Sequence, residues 1–291
     1  MLDYRVKTFI TVCQTLNFTK AAHELHITQP AVSKHIKALE AEYGCTLFVF
    51  KGKQCQMTAE AEKLFLMLTS MAHDIKHFKK SVHETPTQLY FGATMTIGEY
   101  VLPQPLSQLM KAQPRLELKM TIGNTQKLLR ALDKGDIDFA LIEGFFSQER
   151  YDSSVYRHEP FIAAASPSYP LTAKKPKLTD LLQESLIVRE EGSGTREVLD
   201  TVLKARNLAI SDFQKVSEIS NLNTIKQLVM RRRGISFFYR SVVDKELKNG
   251  HLIEIPLEDF PVYHDFTFVW NKNSFFQEQY KEILSFIKAH F

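Results

Sequence analysis

Two groups of residues in this chain have the types and spacing to do chemistry, and in both it is the chemistry of binding. The first is Thr28, Gln29, Pro30, Ser33, Lys34 and Lys37. At about 100° per residue, Val32, Ile36, Leu39 and Tyr43 gather on one arc of a helix, which leaves Gln29, Ser33 and the lysines around the other side. Amide and hydroxyl side chains near a helix start match the donors and acceptors of base edges in a DNA major groove. Lysines and the positive helix end match phosphates. Lys51 and Lys53 flank Gly52 at the tip of an expected hairpin, "TLFVFKGKQCQMT", where they repeat that basic chemistry. The second group lies at three junctions between strand-like and helix-like runs: Thr94 with Thr96, Asn124 with Thr125, and Ser193 with Thr195 in "REEGSGTR". Asn221, at the start of a further helix, offers a fourth contribution. Hydroxyls and free N–H groups at such junctions favour anions, so their convergence, with Arg196 nearby, suits a small oxyanion or carboxylate. Taken singly, each junction is ordinary helix capping.

The elements that must position these residues can be read from periodicity. Val6, Phe9, Ile10, Cys13 and Leu16 form the buried stripe of a first helix. Asn17-Phe18-Thr19 breaks it, with Thr19 the expected cap of a short second helix in which Ala21 and Ala22 permit close packing. His26-Ile27 makes a turn, Thr28 caps the third helix, Pro30 sits in its first turn, and Gly44 ends it. Helix, tight turn, polar-faced helix and basic hairpin together predict a winged helix-turn-helix. Ala61, Leu64, Leu68, Met71, Ile75, Phe78 and Val82 then alternate spacings of three and four, the repeat of a helix that pairs with a second copy. Packing on the chain's own C-terminal region is the alternative. Beyond a polar hinge at Glu84-Thr85-Pro86-Thr87, strand-like runs alternate with amphipathic helices, which predicts an α/β fold with mainly parallel sheet.

Composition narrows the function classes. In 291 residues with net charge +4, the first 58 hold seven cations against four anions, so much of the positive excess lies beside the polar helix. No run approaches the roughly 20 apolar residues of a membrane span, and the N-terminus carries no secretory pattern, so the expected compartment is the cytoplasm. Cys13, Cys45 and Cys55 are odd in number and form no C-x-x-C pair. His23-Glu24-Leu25-His26 lacks the i, i+4 spacing of a zinc helix, and no cofactor is expected. Nucleophile elbow, phosphate loop and dinucleotide fingerprint are all missing, which sets aside an α/β enzyme; an exported solute-binding protein would need a leader. A thiol redox sensor on the same scaffold would need two thiols within reach.

The run "FTKAAHELHITQPAVSKHIKALEAEYGCTLF", with its basic tip and "MTAEA", resembles the N-terminal domain of LysR-type transcriptional regulators over residues 1 to about 65. The chain departs from that pattern at Val49-Phe50-Lys51, where an acidic-then-arginine pair is usual, and at Ala61, where glycine is usual. The resemblance implies a DNA-binding domain over 1–58, a linker and dimerisation helix over 59–85 and an effector domain over 86–291. The effector domain is expected to be two periplasmic-binding-protein-like lobes: lobe I at about 86–160 and 266–291, lobe II at about 161–265. The chain would cross between them near Glu159-Pro160 and His264-Asp265. "TMTIGEYVLP" and "EEGSGTRE" are similar to the branch governing sulfur assimilation and carbon fixation, whose effector positions match Thr94, Thr96, Asn124, Thr125, Ser193 and Thr195. The implied partners are double-stranded DNA with a dyad-symmetric site, a small anionic effector and further copies of the chain, as a dimer or a dimer of dimers. RNA polymerase stays open as another, and no membrane is implied.

Overall fold

The computed structural model describes residues 3–52, 54–83, 88–170, 176–260 and 262–290. Lys53 and the hinge Glu84-Thr85-Pro86-Thr87 lie outside the described residues. Three helices, α1 (Tyr4–Thr15), α2 (Phe18–Glu24) and α3 (Gln29–Tyr43), are followed by the hairpin β1 (Phe48–Lys51) and β2 (Gln54–Met57). Asn17, not Thr19, caps α2: its side-chain oxygen accepts from the Lys20 amide at 2.9 Å, and Thr19 lies inside the helix. Ala21 and Ala22 are buried, which lets α2 close on α3. Gly44 ends α3 at φ 65°, a left-handed turn that a side chain would strain. Tyr43 stays 45% exposed rather than joining the Val32, Ile36 and Leu39 stripe, because it is the last residue of α3 before the chain turns at Gly44. Phe9 and Phe18 both pack on Phe48, and the Glu40 carboxylate accepts from the Leu47 amide at 2.8 Å. The hairpin is thereby fixed to the third helix.

The long helix α4 (Ala59–His83) divides its apolar stripe between two uses. Ala61, Leu64, Phe65 and Leu68 are buried in the core of the N-terminal domain, whereas Met71, Phe78 and Val82 remain exposed. The heptad therefore does not face a second copy along its whole length, since its first turns complete the chain's own small core. A different face of α4 docks on the C-terminal region. His77 donates to the buried Asp138 carboxylate at 2.8 Å, His73 donates to the Ile137 carbonyl at 3.1 Å, and Asp74 accepts from the Ser274 hydroxyl and the Phe275 amide.

Next come β3 (Gln88–Ala93), α5 (Pro103–Ala112), β4 (Glu117–Ile122), α6 (Thr125–Asp133), β5 (Phe139–Ile142) and the 15-residue β6 (Tyr151–Ala165). They are followed by β7 (Ser185–Val188), α7 (Gly194–Lys204), β8 (Lys215–Glu218), α8 (Leu222–Met230), β9 (Ser236–Tyr239), α9 (Arg240–Lys248), β10 (Ile253–Glu254), β11 (Val262–Asn271) and α10 (Gln277–Ala289). The principal sheet runs β10-β6-β11-β5-β3-β4, with β9 also on β6. It is mixed rather than mainly parallel: β3 pairs in parallel with β4 and β5, while β11 is antiparallel to β5 and β6. The antiparallel pairs arise because β6 and β11 leave and re-enter the first lobe side by side, Glu159 opposite His264 and Pro160 opposite Tyr263. Polar alternation and Pro160 hide the first ten residues of β6 from a search for apolar runs. Phe139 stacks between Phe91 and Phe268 in one lobe, and Phe161 meets Tyr239 in the other. In the second lobe Gly234, at φ 153°, lets the chain pass where a Cβ would stand 2.3 Å from the Ser185 carbonyl oxygen.

Asp138 joins the linker helix to the sheet, since its carboxylate also accepts from the Tyr90 amide at 3.2 Å. Replacing Asp138→Ala leaves those buried donors unpaired and is expected to cost about 3 kcal/mol. Urea unfolding of the full chain checks this: a lower midpoint for the C-terminal transition is predicted, and an unchanged one would remove Asp138 from the account.

Candidate functional site

The N-terminal candidates share one surface. Thr28 caps α3 through its hydroxyl, which accepts from the Ala31 amide at 3.4 Å. Gln29, Pro30, Lys34, Lys37 and Lys51 are exposed, and the Gln29 amide donates to the Ser33 hydroxyl at 3.0 Å. An open groove of about 500 Å³ runs between the start of α2, the polar side of α3 and the hairpin; Asn17, Thr19, Gln29, Ser33, Lys37 and Phe50 line parts of it. Phe50, 61% exposed and resting on Phe18, is an addition that sequence reasoning misses; an aromatic residue facing out of a strand is its only sequence signal.

The second site forms where the two lobes meet. Thr94 and Thr96 follow β3 and lead into a π-helical turn at Ile97–Val101, an irregularity often found at functional sites. Thr125 opens α6, Thr195 lies in the first turn of α7, and Glu143 follows β5. All five are buried. The hydroxyls of Thr94, Thr96, Thr125 and Thr195 and one Glu143 oxygen have no well-formed hydrogen bond, and neither does the Tyr239 hydroxyl or one Arg189 nitrogen. Buried polar atoms are nearly always satisfied, so this concentration makes the spot a candidate ligand site. Two glycines set the spacing. A Cβ on Gly194 would stand 2.4 Å from Glu143 Cγ, and one on Gly144 would stand 2.3 Å from Thr125 Oγ1 and 3.1 Å from Glu197 Oε2.

Burial pushes the Glu143 carboxyl up to about 7. The nearby Thr96 hydroxyl, the Arg189 charge and the Thr195 hydroxyl pull against that, while Glu197 adds to it. Burial also lowers His264, whose ring donates to the Glu143 carbonyl, and raises the Tyr239 hydroxyl, which faces Glu143, Glu159 and Glu197.

Of the residues chosen from sequence, Thr94, Thr96, Thr125 and Thr195 are buried with no well-formed hydrogen bond at their hydroxyls, Thr96 and Thr195 beside the Glu143 carboxyl, and buried Ser193 caps α7 through the Arg196 amide at 3.2 Å. Asn124 and Asn221 do not converge. Both are exposed, with their side-chain oxygens accepting from the Lys127 and Thr224 amides at 2.9 Å. Arg196 also turns away, to Asp200, Glu218 and the Arg189 carbonyl, and the guanidinium whose charge acts on Glu143 is that of Arg189. Glu143 and Tyr239 escape sequence reasoning because each lies in or beside an apolar strand, where one polar residue carries no spacing signal; Arg189 and His264 enter it only as the start of the third junction and as a crossover residue, without a role in the cleft.

The three cysteines are unpaired. Burial pushes the Cys13 and Cys55 thiols up, which disfavours the thiolate that peroxide or disulfide chemistry requires.

Comparison with known proteins agrees with this architecture. The pattern described as bacterial regulatory helix-turn-helix protein, lysR family, matches residues 4–62, and the LysR substrate binding domain matches residues 83–291. The chain belongs to the LysR family of transcriptional regulators. It is 33% identical over 269 residues to the HTH-type transcriptional regulator CysL of Bacillus subtilis (strain 168), covering 91% of this chain and 89% of that one. Its fold matches a hydrogen-peroxide-bound cysteine-to-serine mutant of OxyR from Corynebacterium glutamicum at TM-score 0.63 and 23% identity, over 99% of this chain and 91% of that one. It also matches the regulatory domain of CcmR from Synechocystis PCC6803, solved in complex with 2-PG, at TM-score 0.62 and 19% identity, over 70% of this chain and 96% of that domain. Members of the family bind DNA, respond to small effectors and form oligomers.

The Glu143 carboxyl gives a pH signature. Its value is raised from the ordinary 4.5 to about 7, so the folded chain holds a proton that the unfolded chain releases between those limits. Stability falls as pH rises through that window, and the penalty is complete at about pH 8. Glu143→Gln is therefore expected to raise stability at pH 8 by on the order of 3 kcal/mol and to change little at pH 4. Urea midpoints at the two pH values check it; equal effects at both would contradict the assignment.

Proposed function

We propose that two copies of this regulator join through the exposed apolar face of the later turns of α4 and present their α3 helices to a DNA site of dyad symmetry, and that a small anion held between the lobes sets its activity. The cluster of buried, unpartnered hydroxyls beside Arg189 and the start of α7 carries the effector half of this reading. The relative solved with 2-PG supports a small-molecule role for this kind of domain. For the DNA half, Gln29 and Ser33 offer base-edge chemistry, while Lys34, Lys37 and Lys51 offer phosphate contacts. Exposed Met71, Phe78 and Val82 supply the apolar seam of the dimer. Strand β5 links the two ends of the device. Asp138, just before it, holds the linker helix, and Glu143, just after it, stands in the cleft. A ligand that favours one lobe arrangement shifts β5 and with it the linker helix.

Mobility-shift titration against the chain's own upstream DNA tests the reading. Lys34→Ala and Lys37→Ala should each lower the salt slope by about one, and Gln29→Ala should cost about 1–3 kcal/mol and relax base preference at one position. Phe78→Glu should sediment as a single chain and lose the retarded band. Retardation unaffected by all four substitutions would overturn the proposed surface.

A further inference from the structure

We propose that the effector is a small oxyanion that enters the cleft together with one proton, and that the Glu143 carboxyl carries this proton and donates it to the bound anion as a hydrogen bond. This inference rests on the anion-binding reading of the cleft and deepens it. The geometry leaves little choice about neighbours. Glu143 lies against the start of α7, close enough that a Cβ on Gly194 would reach its Cγ, and the Thr96 and Thr195 hydroxyls approach its carboxyl from opposite lobes. An anion that takes up those unpartnered hydroxyls and the amides at the helix start is therefore also within reach of the Glu143 oxygen that has no partner. Two adjacent buried negative charges repel strongly, so one must be neutralised.

The surrounding charges do not do it. From β7 comes Arg189, but its Nε and Nη2 are held by Glu190 at 2.7 and 2.8 Å, leaving one nitrogen to face inward. From α7 comes Glu197, from β6 the Glu159 carboxylate with its partner Arg157, and from β9 the Tyr239 hydroxyl, which the acids surround. From β11 comes His264, whose charged form burial disfavours and which donates to the Glu143 carbonyl. Among the described residues both guanidiniums here, Arg189 and Arg157, are already paired with carboxylates, so the incoming anion is accommodated by a neutral Glu143. The acid form then adds an O–H donor to the hydroxyls already there, and above neutral pH the proton comes from solvent.

Sulfate is the probe, because it keeps one charge state across the range used. Thermal-shift titrations of the full chain with sodium sulfate, at fixed ionic strength between about pH 6 and 8.5, give apparent dissociation constants. The native chain is expected to weaken roughly tenfold per pH unit above the Glu143 range. Calorimetry at pH 8 in buffers of unlike ionisation enthalpy should show close to one proton taken up per sulfate, a result that needs no variant. Glu143→Gln should bind sulfate with a flat pH profile and no proton uptake. Persistence of the pH dependence in Glu143→Gln would move the proton to another group and overturn the proposal. Native binding that is independent of pH but abolished by Thr96→Ala would remove the proton inference and leave the anion cleft standing. No saturable sulfate response at any pH would remove both.

Discussion

One carboxyl buried between two lobes is the constraint around which this regulator is organised. Glu143 has an oxygen without a partner in a place where water is excluded, and Gly144 and Gly194 let the lobes come together on it. Burial of an uncompensated acid is costly, and proteins keep such costs where function needs them. The same closeness buries the hydroxyls of Thr94, Thr96, Thr125 and Thr195, so the cleft holds more polar groups than it has well-formed hydrogen bonds, with Thr96 and Thr195 the hydroxyls that bear on the acid.

The rest of the fold holds that arrangement in place and connects it. Strands β6 and β11 run antiparallel through both lobes, so the two halves share one hydrogen-bonded ribbon instead of a loose tether. The linker helix is tied to the first lobe by His73, Asp74 and His77, and the Arg150 guanidinium lies over the Phe65 ring of that helix while pairing with Asp133. The N-terminal domain is therefore positioned through polar contacts that begin one residue before β5, the strand that leads into Glu143.

How much of this can be read from the sequence depends on how local the signal is. Thr28, Pro30 and Gly44 announce α3 because caps and stops act within one turn, and the α2–α3 pair follows from Ala21, Ala22 and the turn between them. The hydroxyls at strand ends are legible for the same reason. Thr19 is a misleading cap because Asn17 competes for the same role two residues earlier. The heptad reads as one seam because periodicity reports that a face is apolar and not what covers it; Leu64 and Leu68 cover the chain's own core. Glu143 is invisible, and Arg189 is seen only as the start of a junction, because their meaning comes from strands brought together across the lobes, which spacing along the chain does not encode.

The central claim is that an oxyanion sits beside Glu143 between the lobes. Crystals of the full chain grown with selenate, a sulfate-like anion with an anomalous scatterer, test it directly. An anomalous peak between the lobes, with selenate oxygens accepting hydrogen bonds from the Thr96 and Thr195 hydroxyls, is the predicted result. Selenate found only among surface lysines and arginines, with the cleft empty, would contradict it.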